Sequence, residues 1–398
     1  MKKLNVAAIG LGARGHSVLQ GLLLGMNNIN ITAVCDIYED RTERSAAAVT
    51  KVTGKTPFAT TDYNEIMTRS DVDAVLIMSA WESHTPIALA AMENHKAVGM
   101  EVGGAYSVDE CWSLVRTQQN TGTPFMFLEN CCYGRAEMMV MNMVRQGLFG
   151  KIAHCSGGYC HDLRDEVARG EENRHYRLRN YLSRNCENYP THELGPIAQV
   201  LDINRGNRMV SLVSMASNAW GMNDFAARTE GINPTLATAN FAQGDIVTTL
   251  IKCAGGETIT LTLDTTLPRY YSRGFTVRGT KGMYIEENHS IFLDNTYPEA
   301  EHWNWRPQWG NADEYLDKYE HPVWREYLEK GICGGHGGMD GLVYGKFVEC
   351  CLNGEPMPID VYDAAAWMAV TPLSAESIKN GSVAVEFPDF TEGKWKIR

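Results

Sequence analysis

The sequence predicts an α/β protein in two parts, an N-terminal domain on a parallel sheet and a C-terminal α/β domain on a mostly antiparallel one. Three observations carry this. Over the first 130 residues or so, short apolar runs alternate with helical stretches, the pattern of βαβ units. Beyond Asn130 the runs become alternating and rich in β-branched residues, punctuated by hairpin-type turns. At 398 residues the chain is also too long for one ordinary core. The boundary is placed at 129/130, giving domains 1–129 and 130–398.

In chain order, Leu4–Gly10 reads as a strand and Gly15–Leu24 as a helix, followed by a strand at Ile29–Asp36 and a helix at Arg41–Thr50. Asp62–Met67 is helical, Ala74–Met78 a strand, Thr85–Asn94 a helix, Ala97–Glu101 a strand, Ser107–Thr121 a helix and Pro124–Leu128 a strand. A helix over Arg135–Gln146 ends at Gly147, and Lys151–Tyr159 begins the second sheet. Further strands are read at Met209–Ser217, Ile246–Lys252, Thr258–Asp264, Phe275–Gly279 and Met283–Glu286, with turns at Gly255-Gly256 and Thr280-Lys281-Gly282. Two helices close the chain, near Met339–Leu352 and Tyr362–Lys379.

A net charge of −12, with no basic stripe, argues against nucleic acid or an anionic membrane as partner. The opening MKKLNVAAIGLG breaks into glycines too soon for a leader and reads as a buried strand. No apolar run approaches the roughly 18 residues of a membrane span. The eleven cysteines include no CxxC pair, so reduced thiols and a cytoplasmic location are expected.

Gly10-Leu11-Gly12-Ala13-Arg14-Gly15 is a GxGxxG between a strand and a helix. Glycines there permit a tight turn and close backbone approach, and the helix N-terminus faces a pyrophosphate. Asp36 closes the second strand about 20 residues further on, where a carboxylate accepts from ribose hydroxyls and repels a 2′-phosphate. The N-terminal domain is therefore expected to be a Rossmann domain that binds NAD, with Arg14 and Arg41 the only features favouring NADP.

Further motifs follow: Trp81-Glu82-Ser83-His84, Glu101-Val102, Glu129-Asn130, the run Gly158 to Arg164, Tyr189-Pro190-Thr191-His192, Arg269 to Ser272, and Gly335-His336-Gly337-Gly338-Met339-Asp340. With these the chain resembles the Gfo/Idh/MocA family, and within it glycoside hydrolase family 109, the NAD-dependent α-N-acetylgalactosaminidases. The resemblance implies a second domain with a large open sheet, and a homo-oligomer formed through it. It implies that Ala13, Arg14 and Asp36 contact the adenosine and pyrophosphate side of NAD, that Trp81 to His84 line the nicotinamide half, and that Glu101, Val102 and Asn130 hold the cofactor from later strand ends. Tyr159, Arg177, Tyr189, Pro190, Thr191, His192 and Tyr271 match positions around the sugar. Arg174 and Arg179 lie beside Arg177, and Tyr270 precedes Tyr271.

The mechanism the resemblance implies is oxidation of the sugar at C3 by tightly bound NAD, elimination across C1–C2, addition of water and re-reduction. The alternative is a net sugar or polyol dehydrogenase. Against it, Glu101-Val102-Gly103 lacks the lysine that the wider family's Glu-Lys-Pro supplies. Tyr159 and His192 are the expected acid–base pair, supported by Tyr189 and His161. A tyrosine needs a charged neighbour to ionise, and Arg177 or His161 is placed to be it. His161, Asp162, His192 and His336 show no metal-ligand spacing, so no metal is expected. Trp303, Trp305, Trp309 and Trp324 suit a sugar face or an oligomer interface equally, and stay outside the site.

Overall fold

The computed structural model describes residues 2–294, 296, 303–304 and 306–398; of the four tryptophans just named, Trp305 lies outside them. Two compact units emerge. One comprises Met1–Asn130 and Lys330–Ala365, the other Cys131–Glu329 and Ala366–Arg398. A single boundary along the chain does not provide for the return of residues 330–365 to the first unit. The reason is apolar. Val343, Tyr344, Phe347 and Val348 of the helix Met339–Asn353 are wholly buried, and that helix lies on the first sheet. Gly99 makes room for it, since a β-carbon there would meet Phe347 at 3.3 Å and Leu76 at 2.8 Å.

The first sheet has six parallel strands: β1 (Leu4–Ile9), β2 (Ile29–Cys35), β3 (Phe58–Thr60), β4 (Ala74–Ile77), β5 (Ala97–Met100) and β6 (Phe125–Phe127). Their order is β3-β2-β1-β4-β5-β6. The direction in which the chain adds strands reverses between β1 and β4, the place where such parallel sheets bind ligands beyond their carboxyl ends. The inner strands are buried on both faces, and β4 and β5 are buried at every position. β3 escaped the sequence reading because three residues of intermediate or full exposure give no apolar run.

Among the described residues the second sheet has eight strands: β7 (Ile152–Cys160), β8 (Met209–Ala216), β9 (Ile246–Cys253), β10 (Thr258–Asp264), β11 (Thr276–Gly279), β12 (Gly282–Ile285), β13 (Ser290–Leu293) and β14 (Val385–Glu386). Their order is β13-β12-β11-β7-β10-β9-β8-β14. All pairs are antiparallel except β7 with β10. Burial alternates strictly along β9, so one face is covered and the other presents Thr248, Leu250 and Lys252.

Several short helices that the sequence reading did not anticipate cluster between β7 and β8: Arg164–Ala168, Arg177–Ser183 and Thr191–Val200. The last carries Pro196 inside it, which disguises a helix as a turn. The eleven cysteines form no disulfide, and nine are buried among core side chains. Among the described residues no helix is long and apolar enough to cross a membrane.

Candidate functional site

In the first unit the glycine turn follows β1, and its three glycines are required for different reasons. Gly10 has φ +89°, and a β-carbon there would lie 2.3 Å from the Ser79 amide nitrogen. A β-carbon on Gly15 would strike the Gly10 carbonyl at 1.9 Å. Gly12 is different. Its φ is −63°, and a β-carbon would meet only the Arg41 guanidinium, at 3.5 Å. Neither strain nor packing demands a glycine there. The space is open for a group outside the chain, which fits a pyrophosphate approaching the backbone.

The helix Ala13–Gly21 begins at Gly12 with no capping side chain and no carboxylate in its first turn, leaving a positive helix end at that space. Asp36 lies just past β2. Its carboxylate accepts from Leu11 N at 2.7 Å and Tyr38 N at 3.0 Å, with Arg41 at 3.8 Å. That fixes the carboxylate while leaving acceptor capacity for ribose hydroxyls. The donor set fits NAD.

Arg14 takes an unexpected direction. Its guanidinium reaches away from Asp36 and pairs with Glu101, past β5, at 2.8 Å and with Asp340 at 2.7 Å. Burial works against this cation, but Glu101 and Asp340 outweigh it and raise its pKa. So engaged, Arg14 does not read a 2′-phosphate beside Asp36.

The other residues expected around the cofactor follow the strand ends. Trp81, Glu82, Ser83 and His84 form the first turn of the helix Trp81–Glu93 after β4. Trp81 is buried against Gly103, where a β-carbon would touch its indole at 2.4 Å. Ser83 Oγ donates to the Ala80 carbonyl at 2.7 Å, and Tyr106 donates to Glu82 at 3.3 Å. His84 Nε2 meets the Ser79 carbonyl at 3.0 Å, and burial drives its pKa down to about 4, so it stays neutral. Val102 is buried, and Asn130 donates to Asp340 at 2.9 Å.

In the second unit the residues expected around the sugar converge. Tyr159 ends β7 beside Cys160. Gly157 in the same strand lets the helix Thr191–Val200 approach, since a β-carbon there would come within 2.7 Å of Glu193 Cβ. That approach brings His192, in the first turn of the helix, within 5.6 Å of the Tyr159 ring. Tyr189 packs on Tyr159 with ring centres 4.4 Å apart. Two phenol–imidazole pairs result: Tyr159 Oη with His161 Nδ1 at 3.2 Å, and Tyr189 Oη with His192 Nε2 at 3.4 Å.

Arg177 stands over both phenols, 5.2 Å from the Tyr189 ring centre and 5.9 Å from that of Tyr159. It is the buried one of its three neighbours, Arg174 and Arg179 being exposed. Likewise Tyr271, not Tyr270, meets His161 edge-on at 5.1 Å. Pro190 and Thr191 are buried, and Thr191 has no exposed surface.

The electrostatics separate the roles. Burial raises Tyr159 to about 12, and the opposing pull of Arg177 does not overcome it. Arg177 therefore does not ionise the phenol. His161 is lowered, first by burial and then by Arg177, and is a neutral imidazole at pH 7. Asp162 does not serve His161, because both its oxygens are held by Arg164, at 2.8 and 2.6 Å.

Glu166, absent from the sequence reading, pairs with Arg177 Nε at 2.6 Å. It carries no motif, and only the fold brings its short helix beside Arg177.

Two family models match the chain. Residues 4–128 match the oxidoreductase family with an NAD-binding Rossmann fold, and residues 133–397 match the glycosyl hydrolase 109 C-terminal domain. The chain belongs to glycosyl hydrolase family 109. A family 109 protein of Stenotrophomonas maltophilia is 39% identical, over 100% of this chain and 91% of its own. An α-N-acetylgalactosaminidase of Tannerella forsythia is 38% identical over 97% and 86%. One of Shewanella oneidensis is 37% identical over 100% and 87%.

Among solved structures, a levoglucosan dehydrogenase in complex with NADH and levoglucosan superposes with TM-score 0.71 at 16% identity, covering 98% of this family 109 chain and 100% of its own. A likeness at that identity is one of fold. The N-terminal unit of this glycosyl hydrolase is thus an NAD-binding Rossmann domain, and NAD is its cofactor.

Proposed function

We propose that this family 109 chain is a glycosidase acting on an N-acetylgalactosaminide or related glycoside through tightly held NAD. The names of the Tannerella and Shewanella relatives support the sugar. The observation that carries the route is the cluster at Tyr159. Its phenols and imidazoles pair with one another, while two of the nearby carboxylates, Glu166 and Asp162, are engaged by Arg177 and Arg164. Direct hydrolysis uses two carboxyl groups set across the scissile bond. Phenols and imidazoles instead suit proton transfer at carbon and at hydroxyl oxygen.

NAD, when bound, would supply a reversible hydride acceptor for the sugar C3; with the O3 proton released to solvent, the C3 ketone makes the C2 hydrogen acidic. His192 accepts the C2 proton on Nδ1, while its Nε2–H donates to the Tyr189 hydroxyl oxygen, which holds the ring in place. Tyr159, protonated with a pKa of about 12, donates to the departing oxygen at C1. Neutral His161, 3.2 Å away, then relays a fresh proton from solvent to the Tyr159 phenolate. Arg177 holds sugar hydroxyl oxygens, and Tyr271 lines the same face.

We also infer a homo-oligomer through the open face of the second sheet, where Met215 and Leu250 are 65% and 50% exposed. Cysteines used as core side chains support a reducing, cytoplasmic setting.

The test is hydrolysis of chromogenic α-GalNAc in D₂O without added NAD. Chromophore release with deuterium at C2 of the product is expected. No release, with NADH accumulating once NAD and free sugar are supplied, would leave a dehydrogenase instead. In parallel, His192→Ala is expected to keep NAD and lose at least about a hundredfold in turnover. Unchanged turnover would remove His192 from the route.

A further inference from the structure

The motif Gly335-His336-Gly337-Gly338-Met339-Asp340 belongs to neither the glycine turn nor the phenol–imidazole cluster, yet the first unit is built to place it. His336, Gly337 and Gly338 have φ of +51°, +65° and +101° in succession. Three such residues in a row reverse the chain sharply before the helix Met339–Asn353 begins, which is why two of them are glycines. A β-carbon on Gly335 would lie 2.8 Å from an Asp340 oxygen, so this glycine too is set by the carboxylate.

Asp340 is 2% exposed, and it gathers four donors or partners. Arg14 Nη1 donates to Oδ2 at 2.7 Å and Arg14 Nη2 to Oδ1 at 2.9 Å. Asn130 Nδ2 donates to Oδ1 at 2.9 Å, and His336 Nδ1 lies 3.0 Å from Oδ2. Arg14 is held on its other side by Glu101 Oε1, which also accepts from the buried Tyr344 hydroxyl at 2.8 Å. Burial alone would raise the Asp340 pKa, but His336 and Arg14 outweigh it and keep the group ionised far below the usual carboxylate range.

We propose that Asp340, set by the His336–Gly338 reversal, is a positioning residue of the cofactor site: it clamps Arg14 of the glycine turn and Asn130 past β6 into one arrangement with Glu101. Three strand ends on the ligand-binding edge of the sheet, those of β1, β5 and β6, are tied together by one carboxylate from a distant part of the chain. Arg14 on a long side chain has many rotamers, and fixing it between two carboxylates removes that freedom before NAD arrives. The clamp also turns the guanidinium from the Asp36 side, so it serves the pyrophosphate and nicotinamide side of the turn. Asp340 acts through Arg14 and Asn130 and need not itself touch the cofactor.

The experiment is NAD binding to the full chain, stripped of cofactor, by titration calorimetry at a temperature where every variant is folded. Asp340→Asn keeps the shape and removes the charge; its NAD dissociation constant is expected to rise about tenfold to a hundredfold. In an Arg14→Gln background the same change is expected to add less than about threefold, because the carboxylate acts through the arginine. His336→Ala, at a half-exposed position, serves if Asp340→Asn does not fold, and is expected to weaken binding by about threefold or more. Wild-type affinity in Asp340→Asn or, failing that, in His336→Ala overturns the proposal. So does an undiminished effect of Asp340→Asn when Arg14 is already gone. A wild-type protein that takes up no NAD would overturn the cofactor assignment along with the proposal, whereas a variant that binds like wild type overturns the proposal alone.

Discussion

Glu187 lies two residues before Tyr189 with 1% of its surface exposed, and no side chain among the described residues donates to either carboxyl oxygen. Burial pushes its pKa up to about 8, against a small pull from the Tyr189 backbone. A carboxyl protonated when folded and ionised when unfolded contributes its stability fully at pH below about 4.3 and loses it as pH rises through about 8. Glu187→Gln, an uncharged near-isostere, is therefore expected to melt like wild type near pH 4 and to be the more stable at pH 9, by on the order of 5 kcal/mol. Parallel melting curves at the two pH values check this, and a constant difference across pH would refute it. Such a residue is invisible in sequence, where Glu187 is one more acid in a run of polar residues. Tyr159, Tyr189 and His192 were singled out through the family resemblance and the acid–base chemistry of phenols and imidazoles, and the fold packs the three rings together. Glu166 and Asp340 were not readable as partners, because each meets its arginine through the fold.

Glycines show how elements aim these side chains. Gly157 in β7 exists for the helix Thr191–Val200, and Gly12 for something outside the chain. The two make opposite predictions. Gly157→Ala would force that helix off the strand and carry His192 away from Tyr159. It is expected to destabilise the chain by about 1–3 kcal/mol and to cut turnover by at least about tenfold, with NAD still bound. Gly12→Ala meets no backbone strain and only the tip of Arg41, so stability is expected to stay within about 0.5 kcal/mol of wild type while NAD affinity falls at least about tenfold. Melting temperature and NAD titration on both variants separate the cases, and a Gly12→Ala protein that binds NAD normally would show the space is not the cofactor's. At this scale the parallel sheet was the more legible. Its inner strands are apolar runs between helices, while β3, β13 and β14 are too short or too exposed to stand out. The helix Thr191–Val200 was hidden by Pro196, and the other short helices between β7 and β8 have too few turns to show a period.

Across the whole molecule, the feature a linear reading could not supply is that the NAD-binding unit is discontinuous. The Rossmann pattern is complete by Asn130, so the sequence invites a cut at 129. Yet Val343, Tyr344, Phe347 and Val348 of the returning helix are fully buried on the first sheet. At roughly 1.5–3 kcal/mol each, four such side chains represent about 6–12 kcal/mol of burial, as much as a whole domain's usual stability. The returning segment also brings Asp340, without which Arg14 loses one of its two carboxylates. A fragment of residues 1–129 is therefore expected to aggregate or to lack a cooperative melt, and to bind NAD poorly. A chain joining 1–130 to 330–365 through a short flexible linker is expected to fold cooperatively and to bind NAD with affinity near that of the full protein. Circular dichroism melts and NAD titration on the two fragments decide the matter. A cooperative, NAD-binding 1–129 fragment would mean that the helix is a cover the sheet can do without, and that the apparent dependence of the cofactor site on residues from the far end of the chain is a matter of packing alone.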